Sequence, residues 1–226
     1  MTMKKAMLER HTVRKYIDRP LGADTVSQLG RRLDECNSRY GLAVRLMRED
    51  SSAFGAITKL FVAKGARNFF LLAGSPTPDL DERLGYCGAD LMLFSQALGL
   101  NTWWVSGSFN RRAMTALADG DRVIGVIAVG YGASQGKPHR SRKAEDVSVY
   151  SGIMPPWFKS GVEAALLAPT SFNKQAFTIK GKDDKVLITY AHGIFSHIDL
   201  GIVKYHFELG AGKENFEWAE ELAADW

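Results

Sequence analysis

The stretch RHTVRKYIDRPL, residues 10–21, holds five basic side chains, and three of its residues have the types and spacing to grip an anion. As an extended chain, it projects Arg10, Thr12, Arg14 and Tyr16 to one side and His11, Val13, Lys15 and Ile17 to the other. Arginine offers a planar, permanently charged fork of donors to phosphate-like oxyanions. Two guanidinium groups and one hydroxyl therefore converge on a single anion. Lys15 points away, and Arg19 lies beyond the DRPLG break. The bland alternative is a solvated basic run, and the broad one is a nucleic-acid arm.

Other familiar chemistries do not fit. GYGASQG (130–136) follows an apolar run, but its third glycine falls one position late for a dinucleotide fingerprint, and KPHRSRK is a poor helix start. His11, His139, His192, His197 and His206 form no HExxH or paired spacing, so no metal site is expected. There is no G-x-S-x-G elbow and no Walker A sequence. Basic clusters at 10–19 and 137–143 have only weak aromatic interleaving and match no known nucleic-acid module, so no nucleic-acid partner is expected.

These residues need a scaffold to position them. The chain has 226 residues, 46% hydrophobic and 24% charged, with a net charge of +4, which suits one globular domain or two tightly joined halves. Cys36 and Cys87 form no CxxC, which fits a reducing, cytoplasmic setting. No apolar run suits a signal peptide or a membrane span, so no membrane partner is expected.

MKKAMLER reads as a short opening helix. Thr25–Gln28 offers a capping box ahead of Val26, Leu29 and Leu33 at helical spacing. Residues 41–47 and 68–74 are strand candidates. Asp81–Leu100 is the clearest helix, ended at Gly99. Asn110 should cap a helix over RRAMTALADG, and RVIGVIAVGYG is the strongest buried strand. After a Pro-rich break at GIMPPWFKSG come a helix (VEAALLA), a loop (PTSFNKQ), two strands (AFTIKG and KVLITYAHG) and a helix (198–212). The fold class is α+β, with a mostly antiparallel sheet flanked by helices. The strand–strand–helix order at 177–211 echoes that at 41–99. This raises a degenerate internal repeat, although sequence identity between the two is slight.

Four segments together resemble the nitroreductase-like FMN flavoproteins. The first is the opening, with Arg10, His11, Thr12, Arg14 and Tyr16. The second is LLAPTSFNKQAFTI, which is similar to the family's Ala-Pro-Ser-Ser-x-Asn-x-Gln-Pro loop through Ala168, Pro169, Thr170, Ser171, Asn173 and Gln175; Ala176 replaces the usual proline. LGYCGADLMLFSQALGLNTWWVSGSFN resembles the central helix and its exit turn. VIAVGYGASQGKPHRSRK resembles the last core strand and basic phosphate loop. The order departs from the family's usual one, because the Pro-Thr-Ser loop falls far down the chain. That order resembles a rearranged subgroup in which one chain holds both halves of what is elsewhere a homodimer. A single domain over 1–226 would then comprise a first half (1–150) with the phosphate motif and central helix, and a second half (151–226) with the flavin-ring loop.

The resemblance implies roles. Arg10, Thr12 and Arg14 would hold the FMN phosphate, with Lys137, Arg140 and Arg142 completing the cage and His11 supporting the phosphate and ribityl region. Asn173 and Gln175 would match the flavin's pyrimidine edge. Thr170 and Ser171 would add hydroxyls, and Pro169 would shape the loop. The turn Trp104-Val105-Ser106-Gly107 would supply a backbone N–H to flavin N5, with Gly107 permitting close approach. No side chain is nominated as a proton donor, since the flavin carries the chemistry. Singly, each motif has a plainer explanation. Arg10 and Arg14 could pair with surface acids, and Asn173 and Gln175 could cap a loop. Coincidence of the set favours the site for Arg10, Thr12, Arg14, Ser171 and Asn173, while Trp103 and Trp104 still read best as core.

The implied activity is hydride transfer from NAD(P)H through FMN to an electron-poor small molecule such as a nitroaromatic or quinone. The implied assembly is a monomeric pseudo-dimer or a homodimer. The rivals are a flavin-binding or sensing protein without turnover and a basic nucleic-acid-associated domain.

Overall fold

A computed structural model describes residues 1–54 and 65–220. In chain order these form α1 (Met3–Glu9), α2 (Ala23–Tyr40), β1 (Arg45–Met47), β2 (Phe69–Gly74), α3 (Leu80–Ala97), β3 (Asn101–Val105), α4 (Arg111–Leu117), β4 (Arg122–Gly130), β5 (Ser148–Ser151), α5 (Pro156–Ala165), β6 (Phe177–Lys182), β7 (Lys185–Tyr190), α6 (Ser196–Ala211) and β8 (Glu217–Trp218). Short 3-10 turns lie at Ala144–Asp146, Ser171–Asn173 and Lys213–Asn215.

The strands make two four-stranded sheets, ordered β1-β2-β4-β3 and β5-β6-β7-β8. The first is antiparallel throughout. In the second, an antiparallel β6–β7 pair is flanked by parallel β5 and β8. The α+β class with antiparallel sheet and flanking helices is as the sequence suggests; the parallel edges come from β5 and β8, two short strands with no alternation long enough to read.

FFLLAG in β2 is apolar along its whole length because both of its faces are covered. Phe70 and Leu72 enter the core beneath α3 and α6, while Phe69, Leu71 and Ala73 enter a second core with Phe54, Met114 and Val126. The first core runs on without a break into the second sheet through Ile179, Val186 and Ile188. At its centre α3 and α6 lie in contact through glycines. A Cβ on Gly85 would stand 2.2 Å from the Ile198 carbonyl oxygen, and one on Gly201 would stand 2.0 Å from that of Glu82.

Local signals hold at several helix ends. Asn110 caps α4 by accepting from Ala113 N at 3.3 Å. Gly99 takes a left-handed φ of 81° just past α3. Others shift. α2 starts at Ala23 behind Gly22, ahead of the Thr25–Gln28 box, and Gln28 Nε2 donates instead to Asp24 at 2.7 Å. α5 begins at Pro156 inside the Pro-rich break, since proline suits a first helical turn, where no intrahelical N–H bond is lost. The 41–47 strand candidate is ordered as strand only from Arg45.

The basic segment is extended, as read. Val13 N donates to the Thr102 carbonyl at 3.1 Å, and Ile17 N to that of Tyr131 at 2.9 Å. Its pairing switches from parallel at Thr12 to antiparallel at Tyr16. The alternation therefore does not run through. Tyr16 leaves the face of Arg10, Thr12 and Arg14 and is buried in the second core, its hydroxyl 3.4 Å from the Ala128 carbonyl.

Candidate functional site

A cavity of about 430 Å³ opens where the basic segment, the end of β3, the loop after α5 and the first turns of α6 meet. That volume lies in the range of small-molecule and cofactor sites. Arg10, Thr12 and Arg14 line it, as do Trp104, Val105, Ser106 and Gly107 at the end of β3, and Pro169, Thr170 and Ser171 from the far end of the sequence. Segments about 150 residues apart thus form one wall system.

The two arginines lie in different surroundings. Arg10 is only 5% exposed and has no acidic partner among the described residues. Burial lowers its guanidinium pKa to about 10. A buried cation without a counter-charge is costly unless an anion arrives. Arg14 is exposed, with its guanidinium 5.6 Å from the Trp103 ring centre. Trp103 stacks on Phe54 at 6.3 Å, and Trp104 Nε1 donates to Ser106 Oγ at 2.7 Å. Both tryptophans are half-buried and line the cavity, so they combine the core role expected of them with a place in the wall.

Gly107 is uncrowded. An added Cβ would meet nothing nearer than Phe195 Cζ, at 3.9 Å. The protein's own packing therefore does not demand glycine there, and the open space adjoins the cavity lining.

The cavity lining also includes Asp199, from the first turn of α6. It is buried, accepts from Ser171 N at 3.0 and 3.1 Å and from Ser171 Oγ at 3.0 Å, and takes the Tyr190 hydroxyl at 2.9 Å. Burial raises its pKa, while the Ser171 and Tyr190 hydrogen bonds pull it back down. The Pro169–Phe172 loop is thus tied to α6 through one carboxylate.

Other expected residues lie outside the cavity lining. Gln175 is fully buried; its amide accepts from Arg142 N at 2.6 Å and donates to the Leu166 carbonyl at 2.8 Å. Asn173 Nδ2 donates to the Arg140 carbonyl at 2.8 Å. Both amides fasten the basic loop to the Pro-Thr-Ser loop, the capping role that was the plainer alternative. The Arg142 guanidinium donates to the Gln175 carbonyl at 3.3 Å. Lys137 and Arg140 are exposed on that loop. His11 sits beside it, its pKa lowered by burial and by Arg10 and His139.

Asp199, Tyr190, Met92, Phe172, Phe195 and Ile202 are the neighbours that sequence reasoning missed. Asp199 carried one signal, an acid in the first turn of a predicted helix, which on its own reads as ordinary dipole matching.

A second hollow, about 270 Å³, lies between the end of α2, the first turns of α3, and Glu208, Lys213 and Trp218. Several of its polar groups are paired. The Tyr86 hydroxyl donates to Glu208 at 2.8 Å, Lys213 pairs with Glu208 at 3.2 Å, and Arg83 donates to the Tyr40 carbonyl. Among the described residues no cluster could hold a metal ion, and no helix is long and apolar enough to cross a membrane.

Fold and cavity define an α+β protein with one cavity lined by two arginines and a buried carboxylate. The chain belongs to the family described as "Putative TM nitroreductase", whose model matches residues 2–211. Among solved structures, it is similar to a "putative nitroreductase" from Thermotoga maritima, at TM-score 0.69 and 19% identity over 99% of this chain and 90% of that one. A "putative nitroreductase" in complex with FMN from Desulfovibrio desulfuricans matches at TM-score 0.54 and 19% identity, over 69% of this chain and 99% of that one. A nitroreductase family protein from Streptococcus pneumoniae matches at TM-score 0.52 and 11% identity, over 65% and 98%. No curated protein matches.

Proposed function

We propose that the chain is an FMN-dependent oxidoreductase that takes reducing equivalents from NAD(P)H and passes them to an electron-poor acceptor, a nitroaromatic or a quinone. The observation that carries this reading is Arg10, a buried guanidinium with no acidic partner among the described residues, lining the same cavity as the Pro169–Ser171 loop. Family membership and the FMN-bound relative support the same cofactor.

The residues present fit such a group. Arg10 and Arg14, with the Thr12 hydroxyl, would hold the phosphate. Trp103 and Trp104 give flat apolar walls, and Gly107 leaves space for a ring to come close to backbone. Thr170 and Ser171 line the cavity as well; Asp199 holds Ser171, and the Thr170 hydroxyl accepts from Gln175 N. When bound, FMN would supply the hydride chemistry at its ring. The protein's share is binding, orientation and exclusion of water. The basic loop with Lys137, Arg140 and Arg142 contributes positive potential from outside the lining rather than direct contacts.

The reciprocal packing of Gly85 and Gly201 supports a monomeric pseudo-dimer, with β1–β2–α3 and β6–β7–α6 as its two halves. The buried free thiols of Cys36 and Cys87 suit a reducing cytoplasm. The test is a visible spectrum of the purified protein. Oxidised-flavin bands that bleach with NADPH or NADH and return with menadione support the reading. A colourless protein that fails to take up added FMN rejects it, and flavin that never bleaches points to a sensor without turnover.

A further inference from the structure

Phe172 combines features that folding alone does not explain. It is 84% exposed yet lines the cavity. Its backbone lies in the left-handed region at φ 55° and ψ 19°, where a bulky aromatic residue is a genuine outlier. Gln175 shares that strain at φ 46°, whereas Asn173, at φ 54°, is a residue type that tolerates the region.

Such a conformation persists only where the surroundings over-determine it, and here they do so on both sides. Before Phe172, the N–H and hydroxyl of Ser171 are fixed by Asp199. After it, Asn173 is tied to the Arg140 carbonyl, and Gln175 is tied through side chain and backbone to Arg142, Leu166 and Thr170. Inside the protein the Phe172 ring gains little from this. Among the described residues it forms no aromatic pair, and its one ring contact is Lys174 Nζ at 5.9 Å from the ring centre. Strain is therefore held in order to present an aromatic face at the cavity, whose lining also includes the rings of Trp103, Trp104 and Phe195.

We infer that Phe172 is the acceptor-contacting residue of this site and makes it select flat, electron-poor aromatic or quinoid molecules. The inference rests on the flavoprotein reading above. A phenyl face is electron-rich and stacks favourably, offset, on an electron-poor ring. Such a molecule would also cover apolar surface that otherwise stays in water. A non-aromatic acceptor gains neither effect. The loop's anchors keep the ring from collapsing into the cavity when no acceptor is present.

The experiment uses the FMN-loaded protein in its oxidised form without nicotinamide, so that nothing turns over. Binding of 4-nitrobenzyl alcohol is measured by calorimetry for wild type, Phe172→Ala and Phe172→Leu. The expected result is a Kd about ten-fold weaker in Phe172→Ala, the size of one lost aromatic pair, with Phe172→Leu in between. In turnover, the ratio of kcat/KM for menadione to that for ferricyanide should fall by a similar factor. Should both variants bind the nitroaromatic within about two-fold of wild type, or should both acceptors lose rate equally, the assignment is overturned. Phe172→Leu keeps the comparison valid if Phe172→Ala loses its flavin. A wild-type protein that binds no FMN sinks the flavoprotein reading itself, a separate failure visible before any variant is made.

Discussion

Gly85 and Gly201 stand in the same relation to each other from both sides. Each would drive a Cβ into the carbonyl oxygen of the residue three positions before the other, Ile198 for Gly85 and Glu82 for Gly201. Reciprocity of this kind is what a two-fold axis produces between identical subunits. Here it joins two helices of one chain. Gly85→Ala or Gly201→Ala should cost about 1–3 kcal/mol, because rigid backbone has to move. The double variant should cost less than the sum, since one separation of the helices relieves both clashes. Gly30→Ala is the control: a Cβ there meets nothing within 4 Å, so it should stabilise α2 by roughly 0.5–1 kcal/mol. Urea titrations of the four proteins check all of this.

If α3 and α6 supply the subunit-like contact internally, a second chain is not needed to complete the site. The second hollow pairs several of its polar groups through Tyr86, Glu208 and Lys213. Light scattering should report a 25.0 kDa monomer, and flavin absorbance should give one FMN per chain. Two FMN per chain would contradict a single site, and a dimer at low micromolar concentration would contradict the monomeric pseudo-dimer.

Arg10 should separate binding from stability. Arg10→Met removes a desolvated cation and keeps the aliphatic bulk, so the FMN-free protein should gain stability, on the order of 1 kcal/mol. FMN affinity should drop about 10- to 100-fold, as expected for a lost charged hydrogen bond. Arg10→Ala with Arg14→Ala should weaken it further while leaving the far-ultraviolet dichroism unchanged. Fluorescence titration of FMN and thermal melts give both readouts. Unaltered affinity in the double variant would remove the phosphate assignment.

His206 predicts a pH dependence. It is fully buried, with Nδ1 2.8 Å from the Ile202 carbonyl oxygen and Nε2 without a partner among the described residues. Burial pushes its pKa down from 6.5 to about 3. Between those values the unfolded chain binds a proton that the folded chain refuses, so stability falls as pH drops through this window. The slope from this one group approaches about 1.4 kcal/mol per pH unit. His206→Leu should flatten the loss between pH 6.5 and 4.5 in urea titrations. An identical slope in that variant would assign the loss to other groups.

Asp199 should matter more as an acceptor than as a charge. Asp199→Ala leaves the Ser171 N–H and hydroxyl and the Tyr190 hydroxyl unpaired, at about 1–3 kcal/mol for each group that water cannot reach. Asp199→Asn keeps one accepting oxygen and should lose less than half as much. FMN affinity should follow the same order, because the carboxylate positions the Thr170–Ser171 wall. Paired stability and FMN titrations of the two variants check it.

The sequence by itself determined most of the longer elements and the common side of Arg10, Thr12 and Arg14, all three of which line the cavity. Those features are local: apolar period along α3, the unbroken apolar runs of β2 and β4, and side-chain alternation over Arg10, Thr12 and Arg14. Alternation failed at Tyr16 because the segment changes pairing partner there, which is a property of β3 and the turn after β4 rather than of the segment. The boundaries of α2 and α5 moved for a similar reason, since several turn-compatible starts compete and packing selects one. Asn173 and Gln175 show the limit most clearly. Their side chains can recognise a ring edge or tie two loops, and only the fold shows that residues 139–142 come close enough for both to bond them. Tertiary structure alone decided that Asp199 clamps Ser171, that Arg10 is buried with no acidic partner among the described residues, and that Phe172 is held out in a strained backbone. Each depends on which distant group is nearby and on whether water is excluded, and no local pattern in the chain encodes either.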